Sequence, residues 1–181
     1  MVSAITYLKT VKDTTGNTLV DPNGIGLYGV SLGGYASLVA AARDSSVRAV
    51  AADSVYPTPD NFARILTKEQ FGVNNEMINT VVDWGLKASF MSHYNTTSAI
   101  DSVRGYQDVR LLLIGGANAT DLRLSTGLVY IQSLEPRQIT EVASSRIERL
   151  NGPDSKTYNQ IIIDFFKRGN TAPQAAEANK T

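Results

Sequence analysis

The sequence predicts an α/β fold: a small parallel sheet of about four strands, covered on both faces by helices and carrying a helical insertion. Three observations lead there. Ile25-Gly26-Leu27-Tyr28, Val47 to Ala52 and Val109 to Ile114 are short runs, apolar nearly throughout, separated by stretches with helical spacing. Strands that are apolar on both faces belong to parallel sheets with a helix layer on each side. Residues 57 to 98 break the alternation with helical stripes and no strand, which marks them as a lid inserted into the sheet order.

Taken in chain order, Ala4, Ile5, Leu8 and Val11 form one apolar stripe and predict a helix over 3–13. Thr14-Thr15-Gly16-Asn17 and Asp21-Pro22-Asn23-Gly24 are turn chemistry. The run from Ile25 predicts a strand, and the Ala-rich stretch Gly34 to Ala42 a helix after it. Val47 to Ala52 is the second strand, ending at Asp53. In the insertion, Phe62, Ile65 and Leu66 mark one helix. Met77, Ile78, Val81, Val82 and Trp84 mark a second that is apolar nearly all round. Phe71, Met77, Trp84, Phe90 and Met91 are expected to pack the lid onto the domain or to line a pocket. Val109 to Ile114, closed by Gly115-Gly116, is the third strand. Leu124, Leu128 and Ile131 follow as a helical stripe, and Ile139 to Ala143 is a more polar fourth strand suited to an edge. Tyr158, Ile161, Ile162, Phe165 and Phe166 recur at i, i+3, i+4, i+7 and i+8, a strong helix pattern.

The chain has 181 residues, 43% of them hydrophobic, which suits one domain over 1–168. Residues 169–181 are small and polar without an apolar period and read as a disordered tail. Lys+Arg and Asp+Glu are each 17, so nucleic acid and anionic membranes are poor partners. The absence of cysteine removes disulfides, thiolate metal sites and a Cys nucleophile. With one histidine and no metal-ligand spacing, neither metal nor cofactor is expected. No apolar run reaches the ~18 residues of a membrane span, and the start lacks signal-peptide character. A soluble, cytoplasmic protein is expected.

Gly29-Val30-Ser31-Leu32-Gly33 is G-x-S-x-G between an apolar run and an Ala-rich helix. That context is what a nucleophile elbow needs: serine on a strained strand-to-helix turn, with glycine at 29 and 33 avoiding collisions. The helix then points its amides and positive end at the serine, and the Leu32 amide is the candidate oxyanion donor.

The stretch from Val20 to Tyr35 resembles the elbow strand and turn of the α/β-hydrolases, in particular bacterial esterases and dienelactone-hydrolase-like members. Arg110 to Gly116 is similar to their seventh strand and Tyr158 to Phe166 to their last helix. The resemblance covers only the second half of that fold; the opening strands and the loop giving the other oxyanion amide have no counterpart. It implies a serine carboxylesterase of small acyl esters with Ser31 as nucleophile. The family's histidine belongs in the loop that here reads Asn151-Gly152-Pro153-Asp154-Ser155, without histidine. Its acid position falls at Asn118, with Asp121 three residues on. His93, in the lid, is the one imidazole that is able to serve as base, with Asp53 or Asp121 behind it. Asp121 and Asp154 also suit helix N-caps. Two other readings stand beside the esterase: a hydrolase-fold binding protein, and a half-domain whose site a partner chain completes. The missing neighbour of the elbow strand predicts an exposed sheet edge and a homo-oligomer formed through it.

Overall fold

The computed structural model describes residues 1–72, 76–89, 97–116, 140–144 and 154–167. Four parallel strands, β1 (Ile25–Val30), β2 (Val47–Asp53), β3 (Arg110–Gly116) and β4 (Thr140–Ser144), form one sheet in sequence order. Among the described residues β1 and β4 are therefore the two edges, and the elbow strand has a strand partner on one side only. The register places Val30 opposite Asp53, Asp53 opposite Ile114, and Ile114 opposite Val142, so the carboxyl ends of the strands lie side by side.

Among the described residues the helices are α1 (Val2–Leu8), α2 (Leu32–Ala41), α3 (Pro59–Phe71), α4 (Glu76–Ser89), α5 (Ala99–Arg104) and α6 (Asp154–Lys167). α2 and α5 cover one face of the sheet, where Leu38, Val39, Val47, Val50, Ala52, Val103, Leu111 and Leu113 share one core with Ile5 of α1. α6 covers the other, packing Tyr158, Ile161, Ile162, Phe165 and Phe166 on Ala51, Leu112 and Ile114. The alternation along β3 explains the split: Leu111 and Leu113 face one layer, Leu112 and Ile114 the other, so every side chain is buried. α6 runs against the strands. Its Phe166 ring lies over Gly26 near the start of β1, where a Cβ would meet it at 2.7 Å. Arg110, at the start of β3, donates to the Phe165 carbonyl and stacks on its ring 4.8 Å from the centroid.

Local signals set the insertion. Thr58 caps α3 by accepting from the Asn61 amide, Pro59 takes the first turn, and Gly72 ends the helix at φ 63°. Ser98 caps α5 in the same way.

Two expectations change. The first helix stops at Leu8 rather than running to residue 13. Asp13 accepts from the Thr15 and Asn17 amides and folds the chain into a turn, with Lys12 bridging Thr18. The helix α4 does not bury its apolar stripe: Met77, Val81 and Trp84 are 76%, 65% and 74% exposed, so packing onto the domain does not account for them. Phe90, Met91, the stripe Leu124-Leu128-Ile131 and the tail 169–181 lie outside the described residues. No helix among the described residues is long and apolar enough to cross a membrane.

Candidate active site

Ser31 is the single residue between β1 and α2, at φ 54° and ψ −121°. Positive φ in a non-glycine residue is strained, and such strain concentrates at functional sites. Two backbone bonds hold the turn: the Ser31 amide donates to the Asp53 carbonyl at 2.8 Å, and the Ser31 carbonyl accepts from Tyr35 at 3.0 Å. Leu32 is the first residue of α2, so its amide is one of those a helix leaves without an internal partner.

The glycines divide differently from the sequence expectation. A Cβ on Gly29 would strike the Gly33 carbonyl and come within 2.6 Å of the Gly34 nitrogen. On Gly34 it would meet the Gly29 carbonyl at 3.0 Å and the Val55 side chain at 3.1 Å. Gly33 has open space where its Cβ would stand. The turn is thus closed by Gly29 against Gly34, and Gly33 avoids no collision.

Asp53 stands at the end of β2, next to the elbow, with its side chain on the α6 face and 1% exposed. Its Oδ1 accepts from the Ser54 hydroxyl at 2.9 Å and its Oδ2 from the Tyr158 hydroxyl at 2.7 Å. The Tyr28 and Tyr158 hydroxyls are 2.8 Å apart. Burial pushes the Asp53 carboxyl above its ordinary range, and the two hydroxyls pull it partly back. Burial, the Tyr28 hydroxyl and the Asp53 charge all push Tyr158 upward, so it remains a donor. Ser54 repeats the strain of Ser31 on the adjacent strand end, at φ 52°, with its amide donating to the Ile114 carbonyl at 2.8 Å.

Of the sequence candidates, the structure brings Ser31, Leu32, Gly29 and Asp53 together at the carboxyl ends of β1 and β2. His93 and Asp121 lie outside the described residues. Sequence reasoning missed Tyr158, Tyr28, Ser54 and Gly34. In the sequence Tyr158 reads only as an apolar position of the last helix. The available signal was an aspartate ending an apolar strand, which requires a buried hydroxyl or cation near it. Among the described residues no group of three or more metal-ligating side chains occurs.

The model of the prolyl oligopeptidase family matches residues 6–148. No curated protein matches the chain in sequence. Among solved structures, the chain is similar to the α/β hydrolase GrgF from Penicillium sp. sh18. The TM-score is 0.57 at 18% identity, over 92% of this chain and 69% of that one. The esterase domain of a Rhodothermus marinus protein gives 0.52 at 19% identity, over 79% and 59%. The acylaminoacyl peptidase of Pyrococcus horikoshii gives 0.59 at 15% identity, over 88% and only 26%. At these identities the likeness is one of fold. The expected α/β-hydrolase architecture in partial form is thereby borne out.

Proposed function

This chain belongs to the prolyl oligopeptidase family, of α/β-hydrolase fold, and from that premise we propose that it is a serine carboxylesterase of small acyl esters. The observation that carries the reading is the strained turn at Ser31, held between an apolar strand and a helix N-terminus. Strain of that kind costs about 1–3 kcal/mol and persists where it serves a use.

In this reading the Ser31 hydroxyl attacks the ester carbonyl carbon. Its proton passes to His93, the chain's single imidazole. The Leu32 amide and the positive end of α2 stabilise the oxyanion; one such donor is worth about 3–4 kcal/mol. Collapse of the intermediate expels the alcohol, which takes the proton from His93. Water then attacks the acyl-serine by the same route and releases the acid. Asp121 is assigned the place behind His93. The Asp53 carboxylate, whose partners are hydroxyls, is assigned to holding the turn.

A fluorophosphonate probe tests this directly. Ser31 should label at a rate that Ser31→Ala abolishes, and the protein should hydrolyse p-nitrophenyl acetate. Lack of labelling in the wild-type chain would favour the second reading, a hydrolase-fold binding protein, which rests on the loop 151–155 lacking histidine. The family name and the peptidase likeness raise peptides as substrates. Comparing the acetate ester with an aminoacyl p-nitroanilide at equal concentration separates the two. We further propose that β1, which among the described residues pairs on one side only, associates with a second copy of the chain.

A further inference from the structure

The strained turn at Ser31 needs surroundings that over-determine it, since a lone residue at positive φ would relax. One of its two backbone anchors is the carbonyl of Asp53. That carbonyl belongs to a strand end which is strained in turn, with Ser54 at φ 52° hooked onto Ile114. Something must fix Asp53.

The side chains supply a ring of contacts. Tyr158 has one hydroxyl proton, and it points to Asp53 Oδ2. Tyr28 must therefore donate to the Tyr158 oxygen across their 2.8 Å contact. Tyr28 lies on β1 three residues before Ser31, and Ser31 returns to Asp53 through its amide. The path Tyr28–Tyr158–Asp53–Ser31 closes on β1, tying β1, α6 and β2 at the end where the turn sits. Ser54 closes the other carboxylate oxygen. An apolar side chain at 53 would fill the same core without the cost of burying a carboxyl. The aspartate is explained by what it holds.

We propose that Tyr158, backed by Tyr28, is a positioning residue for Ser31, acting through the Asp53 carboxylate and carbonyl on the backbone of the turn. Its effect on turnover rests on the hydrolase reading above; its effect on the backbone does not.

The test uses Tyr158→Phe, which keeps the buried ring and removes the hydroxyl. By amide hydrogen exchange, the Ser31 amide should lose protection about tenfold, the population change that one hydrogen bond supports. The mid-strand amides of Val50 and Ala51 should keep theirs. Fluorophosphonate labelling should slow about tenfold or more, with kcat lowered and KM unchanged. Asp53→Asn, which can still bond both hydroxyls, should restore most of the rate lost in Asp53→Leu. Unchanged Ser31 exchange in folded Tyr158→Phe overturns the proposal. If that variant does not fold, Tyr28→Phe at the edge is read the same way, and unchanged Ser31 exchange in it overturns the proposal equally. A wild-type chain that never labels would defeat the hydrolase reading alone, and the exchange result would still decide this one.

Discussion

At Ser31 the side chain proposed for chemistry sits where glycine would be more stable. Ser31→Gly should therefore abolish ester turnover while raising stability by about 1 kcal/mol, read as an increased Tm. The neighbouring glycines should behave unequally. Gly29→Ala drives a Cβ into backbone and should destabilise by at least the ~1–3 kcal/mol of ordinary overpacking. Gly33→Ala has room, and should be neutral or stabilising by up to about 1 kcal/mol. The methyl would stand in open space beside Ser31, so its cost should appear in KM. Two aspartates should shape the pH profile with opposite signs. Asp53 is raised above its usual 3.8 by burial, so its contribution to stability is whole below the unfolded value and lost as pH rises through the folded one. Asp44 is held at about 2 by bonds from Lys9 and Ser46, so its contribution is whole above 3.8 and lost as pH falls towards 2. Melting curves across pH should show Asp53→Asn more stable than wild type at neutrality and Asp44→Asn weaker there.

Elements were legible wherever one physical cause dominated. β2 and β3 are apolar because both faces are covered, and that pattern survives in one sequence. α6 was visible as a stripe because one side meets the sheet while Ile163 meets solvent at 44% exposure. The end of α1 was not legible. Val11 continues the helical spacing, but the side chain of Asp13 outcompetes the helix for the amides that follow. In the site, the turn could be read because G-x-S-x-G is contiguous. The clasp around Asp53 could not, because Tyr158 lies 105 positions away and a tyrosine in an apolar stripe looks like core. Leu113 is an element-scale test. It is fully buried against α2 and α5, and Leu113→Ala should cost about 2–5 kcal/mol in chemical denaturation.

On the scale of the whole molecule, two surfaces stand open among the described residues, the outer side of β1 and the apolar stripe of α4. If β1 pairs with a second copy, sedimentation at micromolar concentration should show a dimer, since a lasting interface of more than about 1,000 Å² would hold at that concentration. A 19.5 kDa monomer would remove that idea. The stripe on α4 has a consequence of its own. Trp84 is the chain's single tryptophan and stands 74% exposed on that stripe. The intrinsic fluorescence of the protein is therefore a label already fixed on α4. Its emission should lie close to that of indole in water and be readily quenched by acrylamide. Assembly through β1 would leave the spectrum unchanged on dilution, whereas any molecule settling on α4 would shift it to the blue. One spectrum recorded against concentration thus tells the two surfaces apart without a single substitution.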